Sequence, residues 1–206
     1  MTLSAVVPVK GFERAKSRLA PMLGERARAE LAGALFERVL AALLAAPGVA
    51  RVLVVSDSDA VLERAAQAGA TTRRDAARGG LGRIVDAALA ELDGARALVV
   101  MSDLPLITVE DIALVTSSAA PVVIAPDERG EGTNALALPL PPPFATAFGA
   151  ADSARRHRAL APGAAVVRSP GLAFDLDEPA DLAELERRRG APVAGRAGPP
   201  APVRGR

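Results

Sequence analysis

Short apolar runs alternate with amphipathic stretches along almost the whole chain. Leu3–Val9 is Val-rich and nearly free of polar residues, which predicts a buried strand. A polar loop, Lys10–Arg18, leads to a long helix over about Glu25–Ala46. Its apolar residues Leu31, Leu35, Val39 and Leu43 recur every four positions, and Pro47-Gly48 ends it. Arg51–Val55 predicts a second strand, closed by Ser56-Asp57, and Ala60–Ala68 a helix. Ala70–Arg73 reads as a short strand, and Gly79-Gly80-Leu81-Gly82 opens a helix through Leu92. Ala97–Met101 is a further buried strand, followed by Ser102-Asp103-Leu104-Pro105. Thr108 with Asp111 forms a capping box that starts the next helix. Strands are expected over Pro121–Ala125 and Thr133–Leu138, around a glycine-rich loop Asp127–Gly132. A helix over Asp152–Ala161, strands over Ala165–Arg168 and Gly171–Asp177, and a helix Pro179–Arg189 complete the pattern.

Strands that alternate with helices predict an α/β fold: a mixed, mainly parallel sheet with helices on both faces. Ligands in such sheets sit beyond the carboxyl ends of the strands. The positions that matter are therefore those just after Val9, Val55, Met101 and Phe174.

Composition changes this picture at a few points. A chain of 206 residues supports one domain, taken as residues 1–189. From Gly190 to Arg206, 8 of 17 residues are Gly or Pro, so this tail is expected to be disordered and is left out of the fold. Zero cysteines exclude disulfides and Cys-based metal sites, and one histidine excludes a multi-His cluster. Any metal must be held by oxygen, which points to Mg²⁺. A net charge of +1, with no Trp or Tyr, gives no case for a nucleic-acid partner. The longest apolar run, Val39–Ala46, is too short to span a membrane, and no signal peptide is evident. A soluble cytoplasmic protein is expected.

The loop after the first strand is the most unusual stretch. The chain has 25 Lys and Arg together, of which two are lysines, Lys10 and Lys16. Both fall among the first four basic residues, beside Arg14 and Arg18. Lysines retained in so Arg-rich a chain suggest places where a compact ammonium does what a guanidinium cannot, such as meeting a phosphate as a point charge. A solvated turn with surface cations is the bland alternative. The loop is not a P-loop, because Ala15 stands where Gly must precede Lys-Ser. It is not a dinucleotide fingerprint either, since Gly11 stands alone.

Carboxylates supply the second feature. Asp103 follows a central strand, and the helix-cap role nearby is already filled by Thr108, so a metal or ribose ligand is the better reading. Asp175 and Asp177, at i and i+2 on an extended strand, share one face while Leu176 points into the core. Asp177 before Glu178-Pro179 also looks like a helix N-cap. Two like charges on one face call for a cation between them, so Asp103, Asp175 and Asp177 make an oxygen cage suited to Mg²⁺. Gly79–Gly82 is either a flexible turn or a close approach to a base or phosphate. Gly130–Asn134 is either a hairpin turn or, through Thr133 and Asn134, an anion site. His157, within Arg155-Arg156-His157-Arg158, reads as solvated surface.

Together these are the parts of a nucleotidyltransferase. The chain resembles the guanylyltransferases that make the guanylylated precursor of coenzyme F-420 from 2-phospho-L-lactate or phosphoenolpyruvate. The resemblance spans about Leu3–Glu186. It is carried by Val7-Pro8-Val9-Lys10, Ala15-Lys16-Ser17-Arg18-Leu19, Ser102-Asp103-Leu104-Pro105-Leu106, Gly132-Thr133-Asn134-Ala135-Leu136, Phe148-Gly149, Ser153 with Arg156-His157, and Asp175-Leu176-Asp177. It implies a nucleotide-diphospho-sugar transferase-like fold and a requirement for GTP and Mg²⁺. By the same resemblance Pro8, Val9, Lys10, Lys16, Gly80, Leu81 and Asp103 would bind nucleotide. Lys10, Lys16 and Arg18 would be catalytic, and Asp103, Asp175 and Asp177 would hold the metal. Thr133, Asn134, Gly149 and Ser153 would take the phosphorylated three-carbon acid. A homodimer is admitted as the assembly. Two departures stand out: Gly82 where the family usually has Asn, and one extra residue between Gly149 and Ser153. The alternatives are a nucleotidyltransferase for 3-phosphoglycerate, a sugar phosphate or the molybdenum cofactor, and a non-catalytic nucleotide-binding domain.

Overall fold

A computed structural model describes residues 3–75 and 79–190. The expected tail therefore lies outside the described residues, apart from Gly190. Seven strands form one sheet in the order β3-β2-β1-β4-β6-β5-β7. They are β1 (Leu3–Val9), β2 (Val49–Ser56), β3 (Thr71–Arg74), β4 (Arg96–Val100), β5 (Val123–Pro126), β6 (Thr133–Pro139) and β7 (Ala165–Val166). β6 runs antiparallel to both its neighbours, and the other pairings are parallel. The sheet is mixed and mainly parallel, as expected.

Alternation along the buried strands divides the core in two. Ala5, Val7 and Val9 of β1 face a layer built on α1 (Glu25–Ala45) and α2 (Asp59–Gln67). Val6, with Leu53, Val55, Val99 and Leu136, faces the side covered by α3 (Leu81–Leu89). A strand buried on both faces has no polar side, which is why β1 and β4 read as continuous apolar runs. α4 (Val109–Thr116) starts at the Thr108–Asp111 capping box, with both reciprocal bonds made. α5 (Ser153–Leu160) and α7 (Pro179–Gly190) follow the sequence pattern to within a residue or two. Among the described residues no helix is long and apolar enough to cross a membrane.

One expected element is different. Gly171–Asp177 is not a strand: Pro170–Ala173 forms the short helix α6, and Phe174–Asp177 continues as unpaired extended chain. The start signal is Ser169-Pro170, an N-cap whose hydroxyl accepts from the Leu172 amide at 3.2 Å, followed by a proline at the first helical position. The alternation expected of a strand survives without the pairing. Leu176 is fully buried while Asp175 and Asp177 remain partly open, and the Leu176 amide donates to the Asp103 carbonyl at 3.1 Å.

The topology makes one crevice. β1 passes to β2 and β3 on one side and has β4 on the other, so the winding reverses between β1 and β4. β1 pairs with β2 as far as Val9 but with β4 only from Ser4 to Val6. Pro8 lies in the unpaired part, where its missing N–H costs the β4 ladder nothing. The sheet splits there at its carboxyl edge. Because β6 runs the other way, its first residues reach the same edge, with the Met101 amide bonded to the Asn134 carbonyl at 2.9 Å.

Candidate active site

The split opens into a cleft of about 1000 Å³. Pro8, Val9, Lys10 and the loop through Ser17 form one wall, Gly79, Gly80 and Leu81 another, and Asp103 and Asp177 lie at its edge. All seven residues expected to bind nucleotide line it, as does Gly149. Gly149 has φ +88°, a conformation that favours glycine, and a Cβ there would press to 3.3 Å from that of Leu81.

Lys16 is the centre of the charge arrangement. It sits in the left-handed region at φ 53°, unusual for a residue with a side chain, and that backbone turn directs it inward. Its side chain is 7% exposed, and Nζ donates to Asp103 Oδ2 at 2.9 Å and Asp177 Oδ1 at 3.0 Å. Burial alone would lower its pKa, but the charges of Asp103 and Asp177 raise it above the ordinary lysine value, so it remains an ammonium. Asp177 is thus occupied by Lys16. Asp181, in the first turn of α7, turns back on the preceding chain, its Oδ2 accepting from the Asp177 and Glu178 amides at 2.8 and 2.7 Å.

Asp175 completes the cluster from behind. Burial, then the charges of Asp103 and Asp177, push its pKa up to about 6, against a weak 3.4 Å contact from Asn134 Nδ2. The three-carboxylate cage is not ready-made: among the described residues no group of three such side chains stands in metal-holding geometry. Lys16 takes the space between two of its members, because converging carboxylates recruit the nearest cation. The donor set nonetheless fits a hard divalent ion. It is all oxygen, two of its carboxylates already share one cationic centre, and the third is held at a raised pKa by burial and by the negative charges of the other two.

The remaining expected residues divide. Lys10 is exposed at the end of β1 and lines the cleft. Arg18 does not line it; the guanidinium lies on the outer rim, 3.5 Å from Glu178 and 4.0 Å from Asp177. Thr133, Asn134 and Ser153 are buried and do not form the cleft wall either. Asn134 is structural in its contacts: Nδ2 donates to the Leu172 and Ala173 carbonyls at 3.0 and 3.2 Å, fixing the turn that presents Asp175. His157 is not surface. It is fully buried, Nδ1 lies 3.0 Å from Thr133 Oγ1, and Nε2 accepts from the Ala147 amide at 2.9 Å. Arg155 and Arg156 before it are exposed, so the charge run masks the one buried position among them.

Arg14 and Asp57 also line the cleft, joined by bonds of 2.6 Å to both carboxylate oxygens, and Arg14 holds Asp57 below the usual carboxylate range. Sequence reasoning did not assign them a role. For Asp57 the available signal was its position directly after a strand, at the ligand-binding edge. Asp75, Ser102 and Phe148 are further lining residues without an assigned role.

A family model for CofC-like guanylyl transferases matches residues 3–186. The chain belongs to the CofC-like guanylyl transferase family. A phosphoenolpyruvate guanylyltransferase of Sphaerobacter thermophilus is 42% identical over 195 residues, covering 90% of this chain and 93% of the relative. A 3-phospho-D-glycerate guanylyltransferase of Phenylobacterium zucineum is 36% identical, with 89% of each chain covered. Among solved structures, a nucleotide-diphospho-sugar transferase from Desulfovibrio desulfuricans G20 superposes with a TM-score of 0.76 at 18% identity, over 96% of this chain and 92% of that one. Glucosyl-3-phosphoglycerate synthase from Mycobacterium tuberculosis, in complex with Mn²⁺, UDP and glucosyl-3-phosphoglycerate, gives 0.59 at 18% identity, over 94% and 82%. The CofC-like chain thus has the fold of nucleotide-diphospho-sugar transferases, and its cleft lies at the switch point where open α/β sheets bind ligands.

Proposed function

We propose that this protein transfers GMP from GTP to the phosphate of a phosphorylated three-carbon acid and releases pyrophosphate. Phosphoenolpyruvate is the first candidate acceptor, followed by 2-phospho-L-lactate, and the product is the guanylylated precursor used for coenzyme F-420. One observation supports this reading above the others: a buried ammonium shared by Asp103 and Asp177, at the mouth of a nucleotide-sized cleft, in a CofC-like chain.

The chemistry follows from charge. An oxygen of the acceptor phosphate attacks the α-phosphorus of GTP, a new P–O bond forms, and the bond to the bridging oxygen breaks with its electron pair leaving on pyrophosphate. A phosphate monoester is largely dianionic near pH 7, since its second pKa is about 6. No general base is needed. The difficulty is bringing two polyanions together, and Lys10 and Lys16 offset their repulsion from the first loop. Gly79, Gly80 and Leu81 wall the cleft at the start of α3, where the helix dipole favours an anion. Asp103, Asp175 and Asp177 would hold Mg²⁺, which when bound supplies charge neutralisation between the two phosphates. Arg18, beside Glu178 and outside the cleft lining, would meet the outgoing or incoming anion, and Gly149, with the buried Thr133 and Ser153, would form the acceptor side.

The test is pyrophosphate release with GTP and Mg²⁺ against phosphoenolpyruvate, 2-phospho-L-lactate, 3-phospho-D-glycerate and a hexose phosphate. Turnover with one of the three acids is expected. Turnover with the sugar phosphate instead reassigns the acceptor. Tight GTP binding with no release from any of them makes the chain a binding module.

A further inference from the structure

We infer that His157 is a positioning residue, fixing the Thr133 hydroxyl as a hydrogen-bond donor toward the acceptor and pinning the loop that carries Gly149. This rests on the acceptor side proposed above and adds a residue and a mechanism to it.

The argument is one of donor bookkeeping. A backbone N–H can only donate, so the Ala147 amide at 2.9 Å requires a lone pair on His157 Nε2. A neutral imidazole with its lone pair on Nε2 carries its proton on Nδ1. That proton then points at Thr133 Oγ1, 3.0 Å away, and makes the hydroxyl oxygen an acceptor there. Having accepted from the ring, the hydroxyl keeps its own proton to give to an anion. A ring with the opposite tautomer would leave the Ala147 amide facing another N–H and would consume the Thr133 proton instead.

The surroundings favour the neutral ring. His157 is fully buried between Phe148, edge-on at 5.1 Å, and Phe144 at 6.4 Å. Burial lowers its pKa to about 4, with Asp86 the one charge that opposes the shift. Asp86 is engaged elsewhere, since its Oδ1 accepts from the Thr146 amide at 2.9 Å. The loop 146–149 is therefore held on two sides, by Asp86 of α3 and by His157 of α5. A Cβ at Gly82 would stand 3.0 Å from the Thr146 carbonyl and 3.1 Å from that of Phe148, so this loop lies directly on the first turn of α3. One histidine thus joins the start of β6 to the loop whose Gly149 lines the cleft.

His157 is the chain's only histidine, so its side-chain nitrogens can be read without ambiguity after ¹⁵N-histidine labelling. The expected spectrum near pH 7 is a neutral ring protonated on Nδ1, the tautomer less favoured in free histidine. A ring protonated on Nε2, or a charged one, overturns the inference whatever the enzyme's activity. Kinetics supply the second arm. His157→Asn retains a donor near Thr133 but loses the acceptor for Ala147, whereas His157→Gln retains an acceptor near Ala147 but loses the donor. Loss of a hydrogen bond of ordinary strength predicts a KM for the acid raised about tenfold in His157→Gln, with GTP affinity unchanged. In a Thr133→Val background the same substitution should cost little more, because the partner is already gone. Fully additive losses, or a loss of GTP affinity in step with the acid, show a structural histidine and sink the proposal. If the wild-type protein turns over none of the acids but shows the Nδ1 tautomer, the acceptor assignment fails while the hold of His157 on Thr133 stands.

Discussion

Lys16 and Asp175 carry opposite halves of one electrostatic problem. Lys16 neutralises Asp103 and Asp177 from a side chain 7% exposed, while Asp175 is left with a pKa of about 6 by burial and by those same two carboxylates. Replacing Lys16 with Met should destabilise the metal-free protein by about 1–3 kcal/mol, below the full cost of breaking a buried pair because Asp177 is partly open to solvent. Saturating Mg²⁺ should return part of that loss, read as a rise in Tm larger than in the wild type; an equal or smaller rise argues against a shared cation site. Asp175→Asn keeps the shape but removes a negative charge. Turnover should fall about a hundredfold, the range for losing an electrostatic stabiliser of the transition state. At pH 8 without metal the same variant should melt higher than the wild type, since it no longer buries a repelled carboxylate. Normal turnover at saturating Mg²⁺ would remove Asp175 from the metal site.

At the scale of elements, the 146–149 loop packs directly on α3 at Gly82. The resemblance led to Asn at this position, and in this fold any Cβ there meets two backbone carbonyls at 3.0 and 3.1 Å. Backbone cannot swing aside as a flexible side chain can. Gly82→Asn should therefore push the loop off α3, costing about 1–3 kcal/mol as overpacking does. Because Gly149 and the Ala147 amide ride on the loop, the KM for the acid should rise more than that for GTP. An unchanged Tm and an unchanged KM would mean that the loop yields freely. α6 shows the same principle from the sequence side. Ser169-Pro170 is a readable start signal, but apolar residues on either side of Asp175 suggested a strand. The extended run Phe174–Asp177 kept strand-like alternation without a neighbour to pair with.

Across the whole molecule, the buried His157 and the half-buried Asp175 make stability depend on pH in opposite directions. The folded pKa of His157 is about 4 against an ordinary 6.5, so the unfolded chain binds the proton first and stability falls as pH drops from about 6.5 to about 4. Asp175 is the reverse case. Its folded pKa of about 6 lies above the ordinary 3.8, so its contribution is present below 3.8 and is lost as pH rises through about 6. The windows overlap and the slopes oppose. The metal-free wild type should show a shallow Tm profile between pH 4 and 6.5 from this pair of groups. Asp175→Asn should uncover the falling acid limb of His157, and His157→Phe should uncover the rise that Asp175 contributes on acidification. Parallel profiles for the two variants would contradict the assigned shifts.

Much of this could be read from the residues in order. Runs such as Leu3–Val9 and Ala97–Met101 must be buried strands, because no amphipathic period offers a polar face to water. Two lysines in one loop and aspartates after strands marked the chemistry, since such charges are placed at a sheet's ligand edge. The capping box at Thr108 leaves Asp103 free for another role. What the linear order left open was every contact between segments far apart in the chain. Lys16 meets Asp103 and Asp177 across separations of 87 and 161 residues, a pairing that linear order does not show. Asn134 was expected to touch substrate, and linear order did not show that its amide also braces the turn before Asp175. His157 sat in a run of arginines and proved to be buried, because a helix turns each neighbour about 100° away and only packing decides which face goes inward. Local composition determines what a segment can form; which charges share a low-dielectric space is decided when the sheet splits at Pro8 and the loops close over the gap.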